Sequence, residues 1–178
     1  MCSQTTPLRR GLPPVVDECA VVLILGSFPS AQSLTAHQYY ANPRNAFWPI
    51  TGELFGFDPN APYQTRLAAL LAQRVALWDV LRACRRVGSA DSAIDRKSLV
   101  VNDFAALFDS YPTIRRVYFN GAKAAELYRR LAGQSDAVHY QRLPSTSPAH
   151  VMLPGAKLAA WRASIASAAQ PGEAGRRQ

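Results

Sequence analysis

Lysine is scarce in this sequence: Lys97, Lys123 and Lys157 stand against seventeen arginines. Cysteine is equally scarce, limited to Cys2, Cys19 and Cys84. An odd number of thiols at these spacings fits neither a disulfide framework nor a zinc site. An iron–sulfur cluster needs four thiolate ligands, more than this chain holds. The expectation is reduced thiols in a reducing compartment, with neither metal nor cofactor. Long apolar runs are missing too: the longest, Cys19 to Leu25, has the length of a strand, far short of a membrane span. Arg9 and Arg10 are followed by no apolar segment, so the N-terminus does not read as a secretory signal. A cytoplasmic protein without a membrane partner is expected. Three signatures are also absent. There is no G-x-G-x-x-G of dinucleotide binding, no G-K-[ST] ending of a phosphate loop, and no G-x-S-x-G nucleophile elbow.

What is present is a basic chain of 178 residues, 48% hydrophobic, with net charge +8. That length suits one domain, and the apolar content suits a real core. Arginine's planar fork matches phosphate, and a domain this basic is consistent with a nucleic-acid partner. A genome that favours arginine codons, plus a basic tail, would produce the same skew.

Residues 1–17 carry Pro, Ser, Gln and Arg without periodicity and read as a flexible tail, as do residues 170–178. A single domain is expected over 18–169. Val21 to Leu25 is a continuous apolar run ending in Gly26, the pattern of a strand buried on both faces. Val75–Asp79, Arg116–Phe119 and Val138–Leu143 read as three more strands. Helices are expected over Ser30–His37 with Ser30 as N-cap, Phe47–Leu54, Thr65–Gln73, a stretch from an Asn102 cap through Phe108, Ala122–Leu131 and Gly155–Ala168. Strands alternating with helices imply an α/β fold of three layers, α/β/α, with a central, mostly parallel four-stranded sheet.

Ligands of open α/β sheets bind beyond the carboxyl ends of the strands. Three segments fall there. Gly26-Ser27-Phe28-Pro29-Ser30 leaves the first strand. Phe119-Asn120-Gly121 leaves the third. Leu143-Pro144-Ser145-Thr146-Ser147-Pro148-Ala149-His150 leaves the fourth and places three hydroxyl residues between two prolines, a rigid loop able to approach a phosphate closely. A further segment, Gln38-Tyr39-Tyr40-Ala41-Asn42-Pro43-Arg44-Asn45-Ala46-Phe47-Trp48, packs aromatics, Asn and Arg densely. Aromatics can stack a base, Asn can read its edge and Arg can hold a phosphate. The same residues could instead pack the loop, with Tyr39, Tyr40 and Trp48 in the core and the asparagines in turns. Asn120 is open to both readings, a base reader or an Asn-Gly turn. Trp78-Asp79 and the stretch Gly88 to Ser92 read as structural. Arg82, Arg85 and Arg86 read either as the border of a nucleic-acid groove or as a solvated basic face.

Taken in order from Val21 to Trp161, GSFPS, YYANPRNAFW, FNG and LPSTSPAH resemble the uracil-DNA glycosylase superfamily. The first and last motifs are most similar to its hypoxanthine-DNA glycosylase branch. The middle one is similar to the mismatch-specific uracil/thymine glycosylases. In most branches the third residue of the first motif is Asp, Asn or Glu and positions the attacking water. Here it is Phe28. The hypoxanthine branch shares that gap and uses an Asn of the second segment, which maps to Asn45.

The resemblance implies a uracil-DNA glycosylase-like fold and a monofunctional DNA N-glycosylase acting as a monomer on DNA that contains a deaminated base. Asn45 and His150 would be catalytic: Asn45 orients the water or base, and His150 donates to the leaving base or a phosphate. Ser27, Phe28, Phe47 and Asn120 would bind the base, Phe47 by stacking. Ser145, Thr146, Ser147, Arg44 and Lys123 would bind DNA. The segment His150 to Leu153 is a candidate wedge for the vacated stack. Two rivals stand beside this reading: a small-molecule hydrolase with Ser145 or Ser147 as nucleophile and His150 as base, and a non-catalytic DNA-binding module of the same fold.

Overall fold

The computed structural model describes residues 6–166. In chain order its strands are β1 (Leu8–Arg10), β2 (Val22–Gly26), β3 (Val75–Asp79), β4 (Leu81–Arg85), β5 (Val100–Val101), β6 (Arg116–Asn120) and β7 (His139–Leu143). Its α-helices are α1 (Ala31–Ala36), α2 (Phe47–Phe55), α3 (Tyr63–Ala72), α4 (Phe104–Ser110), α5 (Ala122–Leu131) and α6 (Pro154–Ala166), and Asp91–Ala93 forms one 3-10 turn. The α/β class read from the sequence is the one observed.

The four strands expected from the sequence make one parallel sheet in the order β3-β2-β6-β7. Every residue of β2 and β3 is buried, as a strand covered on both faces requires. The registers Gly26↔Asp79, Leu25↔Phe119 and Asn120↔Leu143 bring the carboxyl ends of all four strands to one level. That alignment puts the marked segments side by side.

Each edge of the sheet is managed differently. β7 carries exposed His139 and Arg142, and charge on an edge strand discourages pairing with another chain. β3 is covered instead by the chain's own N-terminal arm. Val15 N donates to the Leu77 carbonyl at 2.9 Å, and Leu77 N donates back to Val15 at 2.9 Å. Here the expected tail over 1–17 needs correcting. From Leu8 on, the segment is structured: β1 pairs antiparallel with β4, and β4 pairs with β5. This small second sheet was not legible, because strands of two to five residues with arginines inside them carry no clean alternation. The tail expected over 170–178 lies outside the described residues.

A second correction concerns α4. Asp103, not Asn102, is its N-cap and accepts from Ala106 N at 3.0 Å. Asn102 is buried, and its Nδ2 donates to the Asp79 carbonyl at 2.8 Å. The anticipated cap of α1 is present: Ser30 accepts from Ser33 N.

Trp161 of α6 ties the last helix to the site. It is fully buried, its Nε1 donates to the Pro144 carbonyl at 2.9 Å, and its ring stands edge-on to Phe47 at 6.1 Å. Trp161→Ala is expected to cost about 3–5 kcal/mol. In a chain of this size that lowers the melting temperature by about 10 °C, measurable by circular dichroism.

Candidate active site

A cleft of about 600 Å³ opens at the carboxyl ends of the parallel strands. Its lining includes Gly26 to Ser30, Tyr39, Tyr40, Asn42, Asn45, Asp79, Asn120 to Lys123 and Ser145 to His150. The four marked segments therefore converge, as strand polarity demands.

Thr146 joins them. Its backbone N donates to Asn120 Oδ1 at 2.8 Å, and its Oγ1 accepts from Asn120 Nδ2 at 2.8 Å. Its carbonyl accepts from Ala46 N at 3.0 Å. Thr146 is 1% exposed, so it clamps the site and has no surface to offer a phosphate. Asn120 lines the cleft with one amide hydrogen and one lone pair still uncommitted to Thr146. Beside it, Gly121 has φ +101°, and a Cβ there would come within 2.9 Å of the Ser145 Cβ. The glycine lets the third and fourth strand ends meet. The Ser145 and Ser147 hydroxyls accept from Ser147 N and Ala149 N at 3.2 Å each, which leaves both hydroxyl protons available to donate. His150 is exposed at the lip, its backbone tied to Ser147 and to Lys157. Among the described residues neither serine hydroxyl is bonded to His150, so the nucleophile–base dyad of the hydrolase rival is not assembled.

The second segment is held from both sides. Asn45 N donates to Asn42 at 2.9 Å, and Asn45 Oδ1 accepts from Phe47 N at 3.0 Å. That second bond is a local side-chain turn at the entry to α2 and fixes the Asn45 amide at the cleft wall. Phe47 itself is fully buried and lines no part of the cleft. Tyr40 covers its face at 3.8 Å and 14°, while Trp48 and Trp161 stand edge-on to it. The stacking role expected of Phe47 is thus blocked, and the ring that faces the cleft is Tyr40. Tyr40 adopts φ +55°, a conformation uncommon outside glycine, and this carries its ring inward. Tyr39 and Trp48 pack the loop, as one of the two readings expected. Tyr39 donates to the Pro13 carbonyl, and Trp48 Nε1 donates to the Tyr39 carbonyl.

The first segment is wrapped by residues that sequence reading set aside. Ser27 Oγ donates to Asp91 Oδ1 at 2.7 Å. Arg86 is 1% exposed, so it borders no nucleic-acid groove. Its guanidinium bonds the Pro29 and Gly88 carbonyls and lies 5.0 Å over the Phe28 ring. Lys123, at the start of α5, pairs with Glu126 at 3.2 Å. Arg44 is exposed on the second segment.

Asp79 closes β3 at the cleft floor. Its Oδ1 lies 2.3 Å from where a Cβ on Gly26 would stand, so no residue with a side chain fits at position 26 without moving it. Asp79 is 4% exposed, and its Oδ2 has no hydrogen-bond partner. Burial, reinforced by the Asp91 charge and opposed by Arg86, pushes its carboxyl up to about 7. An apolar strand that ends in Asp at the ligand-binding edge was the signal available in the sequence.

The family follows from what this chain is similar to. The model of the uracil DNA glycosylase superfamily matches residues 13–166. The chain belongs to that superfamily. This superfamily member is 38% identical over 157 residues to a hypoxanthine DNA glycosylase of Methanosarcina acetivorans, covering 88% of this chain and 97% of the relative. It is 43% identical over 119 residues to a hypoxanthine DNA glycosylase of Methanosarcina barkeri, covering 66% and 74%. Among solved structures, it resembles the solution NMR structure of a uracil DNA glycosylase candidate from Methanosarcina acetivorans. The TM-score there is 0.73 at 37% identity, over 88% of this chain and 98% of that one.

The Asp79 carboxyl makes stability depend on pH. Unfolded, an aspartate ionises near pH 4; folded, Asp79 keeps its proton to about 7. The unfolded state therefore loses its proton first, and stability falls as pH rises from about 4 to about 7, by on the order of 4 kcal/mol. Asp79→Asn should lack this component. Its melting temperature relative to wild type is expected to rise across that window and level off above it, and parallel curves would contradict the assignment.

Proposed function

We propose that this superfamily member flips a deaminated base, hypoxanthine or uracil, out of DNA and hydrolyses its N-glycosidic bond, leaving an abasic site. The observation that carries the reading is the cleft: the four motif segments converge on a space of about 600 Å³ walled by one aromatic face, Tyr40 backed by Phe47. A flipped base needs such a slot with an aromatic wall and polar groups at its edge. The relatives named hypoxanthine DNA glycosylase support that base as the preferred substrate.

Bond cleavage builds positive charge on the sugar and negative charge on the departing base. Fixed donors around the cleft stabilise the base anion without reorganising, which is electrostatic preorganisation. Asn45, its amide plane set by the bond from Phe47 N, orients the attacking water or the base. Asn120 reads the base edge with the amide capacity that Thr146 leaves over. Ser27 and Phe28 form the wall opposite Tyr40. His150 at the lip, with Ser145, Ser147, Arg44 and Lys123, meets the leaving group and the phosphates. Val151 and Leu153 follow at 96% and 78% exposure, apolar side chains placed to fill the stack that the base vacates. Lys123, ion-paired with Glu126, lacks the desolvated amine a lyase requires, so the chemistry is hydrolytic and monofunctional. The cytoplasm suits a protein with free thiols at Cys19 and Cys84.

The first test is cleavage of labelled duplexes with one deoxyinosine or one deoxyuridine, followed by alkali. Scission with deoxyinosine above deoxyuridine is expected. DNA binding without scission of either duplex would favour the non-catalytic module. Asn45→Ala should lower single-turnover excision by about 10²-fold with DNA affinity retained; a wild-type rate would remove Asn45 from the mechanism. Arg44→Ala should weaken binding and reduce the slope of log affinity against log salt by about 1, read from titrations at several salt concentrations.

A further inference from the structure

The floor of the cleft holds a buried polar group without a partner. Asp79 Oδ2 is buried in the cleft with no hydrogen-bond partner, and the Tyr40 hydroxyl beside it has only the Asn120 amide to engage. They belong to side chains that meet above the Cα of Gly26. The site of a Cβ there would lie 3.6 Å from Tyr40 Oη and 2.3 Å from Asp79 Oδ1. Buried polar groups are almost always paired, and an orphan costs about 1–3 kcal/mol. An unpartnered carboxyl oxygen on the floor of the cleft points to a polar ligand group.

We propose that Asp79 acts from a protonated carboxyl, donating a hydrogen bond from the cleft floor to the carbonyl oxygen of the bound base as negative charge develops there. The inference rests on the glycosylase reading above and adds a further catalytic residue to it. As the N-glycosidic bond breaks, its electron pair passes to the ring and spreads to that oxygen, and the Asp79 donor bond strengthens. No proton leaves Asp79 in this step.

The surroundings keep the donor form. Facing Asp79 are Asp91 of the 3-10 turn, Arg86 beyond β4, Tyr39 and Tyr40 of the second segment, and Tyr63 of α3. Asp91 opposes ionisation. Arg86 favours it, but its Nε and Nη2 bond the Gly88 and Pro29 carbonyls, and its buried Nη1 has no partner. Among the described residues no cation lies within salt-bridge distance of Asp79. Burial holds the three tyrosines neutral as well. A carboxylic acid kept neutral near pH 7 can serve as a donor to a developing anion, whereas a carboxylate there would repel both the carbonyl oxygen and the charge it gains.

Phe28 gives this donor its purpose. Its buried ring lines the cleft and offers a water no hydrogen bond. Catalysis then leans on stabilising the leaving base.

The test is single-turnover excision of deoxyinosine from duplex DNA between pH 5.5 and 9 by wild type, Asp79→Asn and Asp79→Ala. DNA affinity and thermal melts check each fold. The wild-type rate is expected to fall as pH rises through about 7. Asp79→Ala should lose about 10²–10³-fold below pH 7. Asp79→Asn keeps a donor and cannot ionise, so it should recover to within about tenfold of wild type and lose the alkaline decline. Asp79→Asn as inactive as Asp79→Ala would mean that the carboxylate is a base and would overturn the proposal. A flat wild-type profile would also overturn it, and needs no variant to fold. If wild type bound DNA but excised neither deoxyinosine nor deoxyuridine, the glycosylase reading itself would fail and this proposal with it.

Discussion

Thr146 sits at 1% exposure where three segments distant in sequence meet. Its backbone and hydroxyl clasp both ends of the Asn120 amide, and its carbonyl receives Ala46 N. These bonds join the end of β6, the loop after β7 and the entry to α2. Asn45 and Tyr40 are side chains on a loop and Asn120 is the last residue of β6, and loops position groups only as well as they are tied down. Without the clasp, Asn120 would be a free rotor and the second segment would have no fixed relation to the third. Trp161 holding the Pro144 carbonyl and Gly121 yielding to Ser145 act on the same junction.

The opposite wall rests on a second constraint, the register of β2 against β3. Gly26 pairs with Asp79, so the only residue type able to sit beside that carboxyl occupies the place. The chain then carries straight on into β4, with Val80 N and Leu81 N donating to the Gly26 and Ser27 carbonyls at 2.9 and 3.1 Å. Arg86 adds its hold on Pro29. The first segment is therefore anchored by backbone bonds from the strand after Asp79, which is why the small sheet of β1, β4 and β5 matters for the site. Buried ionisable groups such as Arg86 and Asp79 are costly to fold. Their burial around the cleft fits a site whose polar groups are organised for a ligand more than for stability.

The main sheet was legible because β2 and β3 are short apolar runs closed by Gly and Asp, β6 ends in Asn-Gly, and β7 runs into a proline. The motifs were legible as motifs. The role of each aromatic was not. Tyr40 and Phe47 stand seven residues apart in one loop-to-helix segment, and composition cannot say which ring covers the other. That is decided by the positive φ at Tyr40, which no sequence pattern announces. Asn102 and Asp103 are adjacent and equally good caps on paper; the buried Asp79 carbonyl claimed the first and left the second to the helix. Thr146 read as a phosphate ligand because a hydroxyl between prolines looks free, and only the distant Asn120 shows that it is not. β1, β4 and β5 escaped because their pairing is long-range and their residues are half polar.

As proposed, the base would meet an apolar ring wall and neutral polar groups, with the Asp91 carboxylate of the lining engaged by the Ser27 hydroxyl. Phe28, Tyr40 and the Asn45 and Asn120 amides carry no charge, and the carboxyl at the floor is held toward its protonated form by burial and by Asp91. Coulomb interactions in such a place are far stronger than in water, so an ionised group near the base would dominate the energetics of departure. A fixed carboxylate would help the sugar cation and hinder the base anion. A set of neutral donors reverses that balance. With Phe28 standing where a carboxylate or amide is usual, the architecture favours substrates whose departing base can take up negative charge on an oxygen that those donors reach. A purine or pyrimidine that has exchanged an amino group for a carbonyl presents such an oxygen, and its undamaged parent presents donors instead. Selectivity for deaminated bases and catalysis of their release would then be two consequences of the same neutral floor.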